Sequence, residues 1–377
     1  MNRRQFLTAA SILPFTNLTF AKGRRGDAMY WGGIGFSASN DRLSSDFAHT
    51  LRGLDLGGGM GLLSKGLTTA INESYPGDKL YADHLQLIEL DEVDQGLVFM
   101  VSIDKEFVTY IPSEIHPGKY HITAYVFATA QVISLNAAEK TVNVLDSFPF
   151  RVSRSGGNLS RSNEDVAKVF KEAIFDSESG LIAFFKQKIA KRSYKETFVR
   201  QSVKLGSINI DDASVASYKK AGASAVLDEE FWAGALLGSL SSSLPMNTSV
   251  MPYRVNDALA QGLAARFKTN SGWNLIFTTG QHEADWTVDI KLSKALKKNV
   301  GSSPSAFLYA RGMSVFISIK DGFGREKFTK KFVKTANTEV SKEYVDMLPM
   351  YDQNYFTQLA IALVDENSPE LGAIMSA

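Results

Sequence analysis

The sequence predicts an α/β protein of the α+β kind, made of two similar domains. Each is expected to hold a mixed or antiparallel sheet with a β-hairpin flanked by amphipathic helices. Three observations predict it. The order helix, strand, hairpin, helix is legible twice; each series carries a β-rich stretch that reads as a β-hairpin; and 377 residues suit two cores of roughly 100 to 200 residues each better than one. Hydrophobic residues at 44% against 21% charged residues leave enough apolar surface to offset the entropy of ordering two such cores.

In chain order, residues 30–36 (YWGGIGF) are apolar yet broken by glycine, which suits an edge strand or an arm that docks on a partner. Leu63, Leu67, Ala70 and Ile71 then recur at helical spacing, and 82–90 (ADHLQLIEL) reads as a strand. An acidic turn over 91–96 leads into a further apolar strand, 97–103. A long β-rich stretch over 120–135, a turn over 136–140 and a strand through 144–152 form the first hairpin. Ser162 and Asp165 have capping-box spacing, with Val166, Val169, Phe170, Ala173 and Ile174 as the apolar face behind them.

The second series begins near 225–240, where Asp228, Glu229 and Glu230 sit within an apolar segment and Gly234 and Gly238 suggest close packing in a core. Asn256 is available as a cap for a helix carrying Leu259, Leu263, Ala264 and Phe267. Residues 284–292 (ADWTVDIKL) follow, then a basic, serine-rich stretch over 294–305 that reads as a loop. A strand over 306–320, a turn at Asp321 and Gly322 and a strand over 328–333 make the second hairpin. Tyr355, Phe356, Leu359, Ala360 and Leu363 mark a closing helix. Segments 82–90 and 284–292 share four of nine residues at an offset of 284 − 82 = 202, which points to an internal duplication. The expected division is an export signal over 1–21, a first domain over 28–200, a linker over 201–223 and a second domain over 224–377.

Residues 1–21 combine a basic start, Arg3 and Arg4, with an apolar stretch and the small residue Ala21 before Lys22. The string NRRQFL, with Arg3, Arg4, Phe6 and Leu7, resembles the twin-arginine export signal. Pro14 and Asn17 interrupt the apolar run and Thr19 replaces the usual alanine, departures that bear on the cleavage site. The resemblance implies a periplasmic or secreted destination in a bacterium. The run falls short of the roughly 20 residues that span a bilayer, so no stable transmembrane segment is expected after signal removal.

An amphipathic helix, a strand opening with Ala-Asp and a hairpin turning near Asp-Gly together resemble the small α/β domains of bacterial envelope proteins, such as the curli-pore lipoprotein and the amino-terminal domain of TolB. The pattern covers roughly 56–175 and 245–365. The curli-pore family begins with a lipidated cysteine, and this chain has no cysteine at all. What the resemblance implies is assembly or scaffolding in the envelope, with other envelope or secreted proteins as partners.

Composition narrows the chemistry. The missing cysteines exclude disulfides, thiolate nucleophiles and thiolate-held clusters, and no other cofactor is expected. Lys and Arg total 41 against 40 for Asp and Glu, so no whole-molecule field draws in nucleic acid. Two Ser-x-x-Lys matches, Ser102 with Lys105 and Ser217 with Lys220, lack the partner motifs of serine acyl-enzymes. Glu114, His116 and His121 offer a metal set if Pro117 and Gly118 turn tightly, against the simpler account of a polar loop entering a strand. Gly57, Gly58, Gly59 and Gly61 before a helix suit an anion site or a flexible joint. With no complete catalytic set, the expectation is a non-enzymatic partner-binding factor of the envelope. The alternative is a periplasmic small-ligand-binding protein or hydrolase with its site between the domains.

Overall fold

The computed structural model describes residues 29–36, 50–51, 80–81, 95–136, 141–176, 178, 180, 183, 201–245, 248–251, 253, 274–275 and 284–376. In chain order these give β1 (Met29–Phe36), β2 (Leu80–Tyr81), β3 (Gln95–Pro112), β4 (Tyr120–Asn136), β5 (Thr141–Leu159) and α1 (Asn163–Phe175). There follow β6 (Gln201–Asn209), α2 (Asp212–Ala221), a short 3-10 turn (Ser224–Val226), α3 (Glu229–Ser243), β7 (Thr248–Val250) and β8 (Asn274–Leu275). The chain continues with β9 (Trp286–Ser302), β10 (Ala306–Asp321), β11 (Glu326–Ser341), a second 3-10 turn (Lys342–Met347) and α4 (Leu348–Ser376). The class is α+β, as expected.

The first sheet runs β2-β1-β3-β4-β5-β8 and the second β7-β6-β9-β10-β11. In the first, β1 is parallel to β2 and β3, and β3, β4 and β5 form an antiparallel meander. In the second, β6 is parallel to β7 and β9, and β9, β10 and β11 form the meander. Apart from β8, order and direction are the same in both sheets, and each third meander strand leads to a helix. The spacing between counterparts is 326 − 141 = 185 for the third meander strands and 348 − 163 = 185 for the helices.

Four sequence expectations are corrected. The stretch 201–223, read as a linker, carries β6 and α2, because Val203, Leu205 and Ile208 turn into the core and Asp211 caps α2. The basic stretch 294–305 is mostly strand: β9 runs to Ser302 with Val288, Ile290, Leu292 and Ala295 inward and lysines between them, a half-exposed pattern that resembles a loop when only composition is read. The offset of 202 does not relate equivalent strands, since 284–292 runs into β9, whose counterpart by strand order is β3, while 82–90 lies outside the described residues. Residues 30–36 form β1, which lies between β2 and β3 rather than at the edge. The helices expected around Leu63 and Leu259 also lie outside the described residues.

The layers follow from which faces are apolar. Along β4, Ile122, Ala124, Val126, Ala128, Ala130 and Val132 pack with Val166, Val169, Phe170, Ala173 and Ile174 of α1. The alternate residues Tyr125 and Phe127 point the other way and join the core of the second sheet. That core holds α3 and α4 between the sheets, so the stack reads α1, first sheet, α3 with α4, second sheet. The close packing expected at two glycines is met. A Cβ at Gly234 would stand 2.5 Å from the Phe127 ring, and one at Gly238 would stand 3.3 Å from the Arg151 backbone.

Caps fix the helix ends. The Ser162 hydroxyl accepts from Asp165 N at 3.3 Å. The Asp165 carboxylate accepts from Ser160 N at 2.7 Å rather than closing the box on Ser162, and this bonding, from the Ser160 hydroxyl first, holds its pKa below the usual range. Asp228 accepts from Phe231 N at 2.8 Å to start α3. Within α4, Pro369 has no N–H for the Asp365 carbonyl, and the Ser368 hydroxyl takes that carbonyl at 3.1 Å.

Candidate functional site

Three places in the fold gather polar or unpartnered groups, and they differ in what they can do. The first is a cleft of about 280 Å³ where α3 and α4 cross β5. Small residues on the facing helices, Gly238, Ser239 and Ser242 on α3 and Ser368 on α4, hold the backbones apart by little more than a hydroxyl. Arg151 of β5 reaches in and donates from Nη2 to Asp365 Oδ2 at 2.8 Å, while the Ser239 hydroxyl donates to the other Asp365 oxygen. Ser243 and Ser368 hydroxyls meet at 2.7 Å. The Arg151 Nη1 is buried with no hydrogen-bond partner among the described residues, so they leave one guanidinium donor there unsatisfied.

The second is a buried ionic cluster at the start of α4. Arg311, 1% exposed, donates from Nε at 3.0 Å and from Nη2 at 2.8 Å to Asp352 Oδ1, and from Nη1 to Thr338 Oγ1. Lys297 donates to Asp352 Oδ2, so one carboxylate serves two cations. Tyr309 and Tyr355 lie against the Arg311 guanidinium at 5.2 and 5.0 Å. Burial pushes the Tyr351 phenol up to about 12 and raises Tyr355 as well. Every donor of this cluster that faces the carboxylate is satisfied, and its chemistry is that of a structural pin between β9, β10 and α4. Sequence reasoning passed over it although a signal was present. Strand alternation places Arg311 on the side of Met313, Val315 and Ile317, and helical spacing places Asp352 on the side of Phe356, Leu359 and Leu363.

The third is the outer face of the β9, β10 and β11 meander. Its inner face is closed by α4, with Lys330 bonded to Glu370 at 2.9 Å and Lys334 to Glu366. Edge groups of β9 beyond the end of β6 are taken by α2: Ser214 donates to Leu292 O at 2.7 Å and Ser217 to Ala295 O at 2.9 Å. On the outer face Leu296 is 59% and Val333 61% exposed, among lysines. Four of the six large hydrophobics exposed among the described residues, Leu296, Val300, Phe316 and Val333, belong to this one meander.

The residues singled out by sequence fare unevenly. Glu114, His116 and His121 are all exposed, on the turn after β3 and the start of β4, and among the described residues no three acidic or histidine side chains stand together as a metal set. The His116 amide donates to Ser113 Oγ at 3.2 Å, which is the polar turn of the simpler account. Gly57, Gly58, Gly59 and Gly61, and the export residues Arg3, Arg4, Phe6, Leu7 and Ala21, lie outside the described residues. Neither Ser-x-x-Lys match makes a nucleophile. Lys105 is bonded to Asp228, Ser102 is buried without a hydrogen-bond partner among the described residues, and Ser217 is committed to the β9 backbone.

No protein-family model matches the chain, and no curated protein is similar to it. Among solved structures it is similar to a hypothetical protein of Chlamydia trachomatis, at 8% identity and a TM-score of 0.27, covering 47% of this chain and 98% of that one. It is also similar to a lipoprotein of Neisseria meningitidis, at 10% identity and a TM-score of 0.20, covering 42% and 97%. A minor lipoprotein of Acinetobacter baumannii matches at 10% identity and a TM-score of 0.19, covering 48% and 92%. Scores this low carry no argument about function. Among the described residues no helix is long and apolar enough to cross a membrane.

Proposed function

We propose that this chain is an exported, non-enzymatic component of the bacterial envelope that acts by holding another component against the open face of its second sheet. One observation supports the reading above others: a meander of three strands, each of 16 or 17 residues, leaves Leu296, Phe316 and Val333 exposed on a face that no element of the chain covers among the described residues. The basic, apolar leader with Arg3 and Arg4 supports the export part. The common strand order of the two sheets supports a duplication behind the two halves of the chain.

The docking part is tested with a photo-crosslinking residue at position 333 or 296, with exposed Lys219 of α2 as the control position. Adducts specific to the face support the reading, and equal labelling at all three positions overturns it. Export is tested with Arg3→Lys combined with Arg4→Lys, followed by cell fractionation. Unchanged delivery to the periplasm sinks twin-arginine routing. The Arg151 cleft favours a second reading, a small-ligand-binding protein, because an unpartnered guanidinium donor beside several hydroxyls suits a polar ligand.

A further inference from the structure

We infer that the outer face of the β9–β11 meander is a docking surface for anionic phospholipid headgroups. The inference rests on the reading that this face is where the chain binds, and it names the occupant. Cross-strand pairing fixes the pattern. Lys298 stands opposite Ala310, and Leu296 opposite Gly312. Lys294 faces Ser314, which faces Val333, and Lys291 faces Phe316, which faces Lys331. From Lys291 to Lys298 the cations span about 23 Å at the usual strand rise.

Most of this charge is uncommitted. Two carboxylates flank these rows: Asp289, next to the Lys291 end, is occupied by Lys320 at 2.8 Å and by the Ser207 hydroxyl at 2.7 Å, and exposed Glu339, opposite Leu308, lies past the Lys298 end. Lys291 leans to Asp211 at 3.2 Å. Lys294, Lys298 and Lys331 are exposed without a carboxylate partner among the described residues, and the Lys331 ammonium rides over the Phe316 ring at 5.7 Å. A surface of net cationic charge on a chain of net charge +1 selects an anionic occupant.

The distribution decides which kind. Leu296 stands between Lys294 and Lys298 along β9, Phe316 between Lys291 and Lys331 across the strands, and Val333 between Lys331 and Thr335 along β11, rather than lined up as a seat for a helix. An extended face of separated cations, with apolar tips between them, fits a headgroup layer that offers negative charge at every lateral position. The tips then reach the boundary of the acyl region. A second copy of the chain would set lysines against lysines.

The test is co-sedimentation of the full chain with vesicles of phosphatidylglycerol and phosphatidylcholine, and with vesicles of phosphatidylcholine alone. The leader is kept in every variant so that its own contribution cancels. Binding to the anionic vesicles is expected, weakening as salt rises from about 0.05 to 0.5 M. Each lysine near such a surface raises partitioning about fivefold, so Lys294→Gln, Lys298→Gln and Lys331→Gln together lower it by about two orders of magnitude. Circular dichroism confirms that the triple variant keeps its fold, and Val333→Ser weakens binding without touching charge. Equal binding to both vesicle types, or full binding by the folded triple variant, overturns the inference. Failure to bind vesicles together with face-specific crosslinks to a protein overturns the lipid occupant but leaves the docking reading standing; failure of both removes the two together.

Discussion

The two sheets share a strand order but are buried differently. The first has helices on both faces, α1 on one and α3 with α4 on the other; the second meets α4 and α3 on its inner face, and no element among the described residues covers the outer face of its meander. β4 records the difference as a nearly unbroken apolar run in which Ile122, Val126 and Val132 serve one core and Tyr125 and Phe127 the other. β11 records it as alternation, with Phe332 buried between exposed Lys331 and Val333. One topology thus serves as an internal layer in one half and as a surface layer in the other. The lysines of the second sheet also keep its free edge and face from pairing with further strands.

The largest expected effect concerns the ionic pin that locks α4 onto the second sheet. Asp352→Ala leaves Arg311 and Lys297 without their shared counter-charge and is expected to lower stability by about 3–5 kcal/mol, read by denaturant unfolding. A loss below about 1 kcal/mol would mean that water reaches the pin. Phe127→Ala removes from the second face of the first sheet a buried ring that packs on Gly234 and Phe231 of α3, and is expected to lower stability by about 3–5 kcal/mol. If it costs no more than an outer-face substitution on the second sheet, the contrast between the two sheets is lost.

A smaller loss, about 1–3 kcal/mol, is expected of Gly234→Ala, because the new methyl group presses on the Phe127 ring. Pairing it with Phe127→Leu should recover part of the loss, and strict additivity would show that the helix moves instead. Tyr125 supplies a pH test of the same interface. Burial raises its phenol from 10.0 to about 12, so the folded state holds a proton that the unfolded chain releases near pH 10. Its stabilising effect is therefore complete below pH 10 and falls away as pH climbs toward 12, by roughly 1–2 kcal/mol. Tyr125→Phe should flatten that decline in alkaline thermal melts. Smallest of all, Val333→Thr on the open face should change stability by less than about 0.5 kcal/mol. A drop comparable to that of Phe127→Ala would reveal a hidden cover on that face.

Much of the local structure was legible because it depends on neighbours in sequence. The five apolar positions of α1 are buried as their spacing demands, Ser162 caps that helix, and both hairpins fall where the β-rich runs and turns put them. The misreadings came where exposure masks periodicity. β6 and α2 passed for a linker because only part of each faces the core, and the basic end of β9 passed for a loop because its outward residues are lysines. The candidate sites were less legible still. Glu114, His116 and His121 are near in sequence, but strand and turn set them apart, whereas Arg311 and Asp352 lie 41 residues apart and touch.

By itself, then, the sequence determined the periodicities: which residues of each strand and helix turn inward, where caps and turns fall, and that stability is reached without disulfides. Those properties reside in backbone geometry over a few residues. The tertiary structure alone decided that α3 and α4 lie between the sheets and that Gly234 admits Phe127. It alone decided that Asp352 joins two cations and that one sheet face is left uncovered among the described residues. Each of these depends on groups far apart in the chain meeting in one place, and local pattern carries no record of which distant surface an apolar face will find.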